Sequence, residues 1–346
     1  MFKLLYIQTQ LIGDLSTVGG IFDLSEVVHN VSHFTTINFQ PAKLTFSLNE
    51  NFNNDMFELS VGSQILFFNI DILKNEKKQI FSGRIFNWKK GKNSSYEVIA
   101  YDDTRYFSNS DDWYMTEKTI DSAFSFLCSK MGLTAVIKAP SVYQLKNFLF
   151  LEKSYWEMLE HCVEEVLVEN YSAGNSVLNY YFIKTTNEGI VLDTINNNMT
   201  DLVIGDESLL TGYDYSEDID SDTYNDIIIV KSVQEDNLGS QGERIVATKM
   251  DALSQKNYGV LRKLISIKDE SNKQQAEKYA DLFLQLKNRV KKSIKITALG
   301  RDEIQAGSGF MFKLDALKII QKMYVISATH NYDMDKHTME LEVSIV

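Results

Sequence analysis

Val61-Gly62-Ser63-Gln64-Ile65-Leu66-Phe67-Phe68 is followed, after a polar turn, by Ile80-Phe81-Ser82-Gly83-Arg84-Ile85 and then by Tyr96-Glu97-Val98-Ile99-Ala100. Near the far end of the chain the pattern is written again. Ala306-Gly307-Ser308-Gly309-Phe310-Met311-Phe312 precedes Met323-Tyr324-Val325-Ile326-Ser327-Ala328 and Met339-Glu340-Leu341-Glu342-Val343. The two Gly-Ser steps stand about 245 residues apart, and the later strands keep nearly that offset. Short apolar, β-branched and aromatic runs between polar turns read as strands. A three-strand unit written twice predicts two copies of one small antiparallel barrel or sandwich. The plainer alternative is that any two meanders with a Gly-Ser turn look alike. Under duplication, Gly62 and Gly307 occupy equivalent turns that need positive φ. Three chains would then carry six similar units around one axis, a route from threefold to approximate sixfold symmetry.

The remaining sequence sets the frame. A chain of 346 residues with 44% hydrophobic and 24% charged content is of ordinary globular composition. Twenty Phe and seventeen Tyr against two Pro favour strands with polar turns over disordered linkers. No stretch approaches the ~20 apolar residues of a membrane helix, and Met1-Phe2-Lys3-Leu4 opens no signal peptide. Stable membrane insertion is therefore not expected. Cys128 and Cys162 fall in two predicted helices, as buried free thiols of a protein made in a reducing compartment.

A net charge of −12 argues against specific nucleic-acid binding, which needs clustered Lys and Arg. Asp201 to Asp222 carries no Lys or Arg, and Glu217, Asp218, Asp220 and Asp222 form its densest part. Lys287, Arg289, Lys291, Lys292 and Lys295 form a basic cluster nearby in sequence. Both sets read first as solvated faces. The functional alternative makes the basic cluster a subunit interface and the acids the lining of a channel.

Hydrophobic period divides the chain. Residues 1–101 read as a first tube-like β-barrel of five to seven strands. Residues 102–212 form an inserted α+β region, divisible near 140. Thr119 to Met131 has one apolar helical face with Gly132 as C-terminal cap, and Ser154-Tyr155-Trp156-Glu157 opens a second helix with capping-box spacing. Asn187-Glu188-Gly189 marks a hairpin. Residues 213–346 read as a second tube-like β-barrel with a long helix at 271–290. Within it Asp226 to Val233 is a strong strand that Lys263 to Ile267 can join, and Glu235 to Tyr258 reads as an exposed loop. The fold class is thus mainly β, with two antiparallel β-barrel domains flanking a small helical α+β region.

A search for chemistry returns little. The pairs Asp102-Asp103, Asp111-Asp112 and Glu164-Glu165 read as solvated carboxylates, since neighbours on a strand or helix point apart. His29, His33, His161, His330 and His337 show no metal-ligand spacing, and no glycine run matches a phosphate loop. No catalytic residue, cofactor site or metal site is assigned.

The order of elements resembles the baseplate hub proteins of contractile phage tails and phage-tail-like bacteriocins, in the short form of Gram-positive prophages. Four features carry the likeness: Phe22-Asp23-Leu24-Ser25-Glu26-Val27-Val28, Tyr96 to Asp102, the Tyr224-Asn225 step that opens the second β unit, and Ala298-Leu299-Gly300 before Ala306-Gly307-Ser308. The resemblance implies a non-enzymatic virion structural protein. It implies a homotrimer of pseudo-sixfold symmetry that joins the hexameric tail tube, or its initiator protein, to the trimeric central spike among other baseplate proteins. Such a protein is synthesised in the bacterial cytoplasm and works at the baseplate centre of the assembled particle. Ending at Val346, the chain leaves no room for a fused lysozyme or spike domain. Two other readings are a peptidoglycan hydrolase, and a carbohydrate- or receptor-binding module using Trp88, Trp113 and Trp156, for which packing is the plainer role.

Overall fold

The computed structural model describes residues 1–12, 15–49, 57–71, 76–91, 95–116, 119–172, 180–234, 241–267, 273–333 and 336–345. The chain forms two compact units. The first comprises Met1–Val166, Val177–Asp214 and Lys295–Val346; the second comprises Leu167–Ser176 and Tyr215–Ile294.

The alternating runs of the first hundred residues become β1 (Phe2–Ile12), β2 (Leu15–Asp23), β3 (Val28–Thr36), β4 (Lys43–Asn49), β5 (Gln64–Asp71), β6 (Glu76–Lys90) and β7 (Ser95–Tyr101). Period-two burial drives them: Leu44, Phe46 and Leu48 of β4 and Val98 and Ala100 of β7 face Leu4, Tyr6, Ile65 and Phe67 in one core. The later strands are β13 (Met199–Gly205), β14 (Leu210–Asp218), β18 (Lys291–Leu299), β19 (Gly309–Leu314), β20 (Ile319–Tyr332) and β21 (His337–Ile345). All thirteen belong to one sheet, ordered β14-β18-β21-β20-β3-β4-β7-β6-β5-β1-β2, with β19 beside β20 and β13 beside β19.

That order contains the duplication. The series β3-β4-β7-β6-β5-β1 has the counterpart β14-β18-β21-β20-β19-β13, strand for strand. The copies differ at the last place, where β1 pairs β5 antiparallel but β13 pairs β19 parallel. The fold is mainly β with an α+β insertion, as the periodicity implies.

Between the two series lie β8 (Ser110–Met115), α1 (Ile120–Lys130), β9 (Ala135–Ile137), β10 (Phe148–Ser154), α2 (Tyr155–Ser172), β11 (Tyr181–Thr186) and β12 (Gly189–Thr194). Thr119 caps α1 with a reciprocal Ser122 box, and Gly132 leaves it at φ +68°. Ser154 and Glu157 form the expected box on α2, with Glu157 N donating to Ser154 Oγ and Ser154 N to Glu157 Oε2. Asn187-Glu188 turns β11 into β12. Phe107, Phe124, Leu127, Cys128, Leu159 and Cys162 meet in this core.

The second unit is an α/β body: β15 (Asp226–Gln234) runs between antiparallel β16 (Gln241–Met250) and parallel β17 (Arg262–Ile267), with α3 (Ala252–Tyr258) and α4 (Lys273–Lys287). Ile227, Ile229 and Ala247 pack on Ala276 and Ala280 of α4. Two expectations need correction here. Glu235 to Tyr258 is not a loop: within it β16 and α3 are formed, while residues 235–240 lie outside the described set. A bulge at Val246 breaks the alternation of β16, and its Ile245, Thr248 and Met250 are exposed, so backbone pairing with β15 holds the strand without a readable pattern. The segment 213–346 is spread over both units, because the α/β body is inserted between β14 and β18. No helix among the described residues is long and apolar enough to cross a membrane.

Candidate functional site

The paired Gly-Ser turns are built alike down to their hydrogen bonds. Gly62 and Gly307 both take φ +83°. Gly62 N donates to Ile85 O at 2.8 Å and Ile85 N returns a bond to Ser63 O at 2.9 Å. Gly307 N donates to Val325 O and Val325 N to Ser308 O, each at 2.9 Å. Each partner strand then bulges at the next step, between Ile85 and Asn87 in β6 and between Val325 and Ser327 in β20. Equal φ, equal bonds and equal bulges make coincidental likeness of two meanders a poor account. The surroundings differ. The space beside Gly62 is open, whereas a Cβ on Gly307 would overlap the Phe182 ring.

The structure brings the acidic and basic candidates together rather than apart. Lys287 Nζ meets Asp222 Oδ2 at 2.5 Å, and Lys292 Nζ lies 3.5 Å from Glu217 Oε1. Asp218 caps a turn, accepting from Asp220 N at 2.7 Å and from Ser221 Oγ; the Ser221 hydroxyl, followed by the Asp220 amide, holds its carboxyl below the usual range. Asp220 is exposed, as are Arg289, Lys291 and Lys295. The two sequence runs thus neutralise part of each other's charge locally, which their separate positions in the chain concealed.

A cleft of about 360 Å³ opens in the first unit, lined by His33, Lys78, Asp102, Lys184, Asp302 and neighbouring hydroxyls and amides. Asp102 was expected to be solvated; it is 3% exposed instead. It caps the turn Asp103–Ser108 and accepts from the Thr104 and Thr185 hydroxyls, and burial pushes its carboxyl up to about 6 against those bonds. Lys184 donates to Asn198 and Lys78 to the Asp302 carbonyl. The polar groups of the cleft are engaged largely with one another.

Beside it lies a histidine cluster that spacing along the chain did not reveal. His33 of β3 stands opposite His330 of β20. His330 Nδ1 is 2.9 Å from His337 Nε2, and its Nε2 is 2.7 Å from Ile304 O. Burial, then the neighbouring His330, drives His33 down to about 3 and lowers His337 as well. Asp302 accepts from Tyr332 at 3.0 Å beside them. Only cross-strand register assembles this set; along β3 itself a bulge separates His29 from His33. Among the described residues no group of three or more His, Cys, Asp or Glu is placed to hold a metal. Cys128 and Cys162 are buried and free, and burial pushes the Cys128 thiol up to about 12. Trp113 and Trp156 are buried in the α+β core, while Trp88 is 38% exposed against Tyr96.

This duplicated sheet with an inserted α/β body is the fold of a class of tail proteins. It is similar to the 43 kDa tail protein of prophage MuSo2 from Shewanella oneidensis, with a TM-score of 0.68 at 9% identity over 99% of this chain and 98% of that one. It is also similar to the E. coli c3393 protein, a type VI secretion component described as structurally similar to T4 bacteriophage tail proteins gp27 and gp5. There the TM-score is 0.52 at 8% identity, over 92% of this chain and 74% of that one. By sequence the chain belongs to the YQBQ-like family, whose model matches residues 31–344. It is 31% identical over 135 residues to the phage-like element PBSX protein XkdQ of Bacillus subtilis, a match spanning 39% of each chain.

Proposed function

We propose that this chain is a structural baseplate hub, a homotrimeric adaptor between the hexameric tail tube, or its initiator, and the trimeric central spike of a contractile injection particle. The observation that carries the reading is internal: one chain holds two copies of a six-strand series with matched turns and bulges. Three such chains offer six near-equivalent modules above and threefold symmetry below, which is what a sixfold-to-threefold junction requires. Residues 1–101 make one tube-like module. The strands β13, β14 and β18 to β21 make the other, so it begins at Met199, inside the span 102–212, and β8 to β12 with their helices are the region between the two. Likeness to a prophage tail protein supports a place in the tail of an assembled particle, and the relation of c3393 to gp27 and gp5 supports its centre. The role is structural rather than enzymatic, with contacts to other baseplate proteins and no specific hold on nucleic acid. The lumen is acidic or neutral, in keeping with a net charge of −12. The residual positive charge of Arg289, Lys291 and Lys295 faces a neighbouring protein.

Native mass measurement of the purified chain tests this, together with averaged images of the particle. A threefold hub is expected. A dimeric or hexameric hub overturns the reading, and clear lysis of peptidoglycan by the purified chain overturns its non-enzymatic part.

A further inference from the structure

Among the described residues the two strand series of one chain are stitched at a single seam, where β3 of the first lies beside the far half of β20 of the second. Ser327 faces Thr36, His330 faces His33 and Tyr332 faces Val31 in antiparallel register. β20 can accept this neighbour because its near half, Ile319–Tyr324, pairs with β19, and its far half pairs with β21 on one side only. β6 has the same plan. Its near half, Glu76–Arg84, pairs with β5, and its far half, Arg84–Lys90, pairs with β7 on one side. Among the described residues no strand lies on the other side of Asn87–Lys90. β14, the counterpart of β3, is the last strand of the sheet and so also has one edge with no described strand beside it. The seam that β3 and β20 make is therefore left open at both of its equivalent halves, β14 and β6.

We propose that β14 of one chain pairs antiparallel with the far half of β6 in the next copy of this chain. The inference rests on the trimeric reading above and names the surface that closes the ring. Internal equivalence also sets the register. The matched bulges put Lys90 in the place of His330. The bonds Asn49 N to Val27 O and Leu299 N to Leu209 O mark matching points of β3 and β14. Counting on from them, and allowing for the extra residue at the His29–Ser32 bulge of β3, puts Asp214 in the place of His33. Lys90 of one copy then stands opposite Asp214 of the next. The chemistry fits that placement: the far half of β6 exposes Phe86, Trp88, Lys89 and Lys90, and β14 exposes Tyr213 and Asp214. Aromatic and basic groups on one edge meet aromatic and acidic groups on the other, and main-chain bonds supply the rest. The contact is head-to-tail, so it closes only as a ring. An edge left open would be a site of uncontrolled pairing.

Opposed residues across an antiparallel pair lie within disulfide range. The double variant Lys90→Cys with Asp214→Cys, oxidised at the concentration where native mass gives a trimer, is expected to run as a covalent trimer on a non-reducing gel, with each single variant running as one chain. A trimer by native mass without cross-linking of the double variant overturns the strand pairing and leaves the hub reading standing. A wild-type chain that is dimeric, hexameric or monomeric at every concentration overturns both. Should the cysteine variants fail to fold, charge reversal serves instead. Lys90→Glu is expected to weaken association roughly threefold per interface, and adding Asp214→Lys is expected to restore it; no restoration overturns the pairing.

Discussion

Gly62→Ala and Gly307→Ala place the same methyl group on two backbones of identical φ, +83°, yet the structure separates their costs. A left-handed conformation costs an L-residue about 1–2 kcal/mol. Part of that, roughly 0.4–1 kcal/mol, is offset because alanine also stiffens the unfolded chain. At Gly62 nothing lies within 4 Å of the added Cβ, so the net loss should be about 1 kcal/mol. At Gly307 the methyl runs into the Phe182 ring. That ring is 1% exposed and sits in a cluster with Ile37, Ile195 and Ala306, so it has little room to retreat. Overpacking of this kind costs about 1–3 kcal/mol more, for a total of roughly 2–4 kcal/mol.

Urea unfolding of the two variants, with the slope checked for constancy, measures the difference directly. Gly62→Asn is a useful third point, since asparagine tolerates the left-handed region and should recover much of the loss. Equal losses at the two glycines would show that the Phe182 contact is unimportant. A larger loss at Gly62 would refute the reasoning altogether.

Four further outcomes follow, three from buried groups and one from a helix cap. His33 and His337 are held neutral by burial, with His33 at about 3, whereas unfolded histidine titrates near 6.5, so their contribution to stability is complete above about pH 6.5 and falls as pH drops below it. Asp102 works in the opposite sense: raised to about 6, its protonation adds stability as pH falls from there toward its unfolded value, so Asp102→Asn should make acid destabilisation between pH 6 and pH 4 steeper in denaturant melts. Cys128, pushed up to about 12, should react with a thiol reagent far more slowly in the native protein than in urea, and equal rates would contradict its burial. Ser154→Ala removes the acceptor for Glu157 N at the start of α2 and should cost about 1 kcal/mol, read as a shift in the urea midpoint.

What the sequence discloses depends on how local the cause is. Caps and turns are local, so Gly132, Ser154 and Asn187-Glu188 are legible where they fall, and so is the Gly62/Gly307 equivalence. β16 is not, because a one-residue bulge and a solvent-facing side erase the alternation that marks a strand. Register between distant strands is invisible to a linear reading. It places His33 beside His330, and the packing of elements distant in sequence likewise brings Thr185 onto Asp102 and the end of α4, Lys287, onto Asp222. For the same reason the charged candidates looked like two faces when they are partners, and Asp102, one of a pair of adjacent acids, looked solvated when it is a buried cap.

The divergence between the two copies follows from where each can change without disturbing the sheet. β3 and β4 are joined by residues 37–42 alone, whereas the equivalent step from β14 to β18 carries the α/β body. β14 and β18 are neighbours in the sheet, so the chain leaves and returns at nearby points whatever is placed between them. Closing so long an insertion costs only a logarithmic increment in entropy when its ends are already held together. The strands have no such latitude. A single-residue slip would turn Ile296 and Ala298, or Leu341 and Val343, from core to solvent. Selection can therefore hold the two strand series of one chain alike in their sheets while giving the second an extra body. In the proposed trimer that difference would make the ring sixfold in its sheets and threefold in its added bodies, both symmetries coming from one gene product.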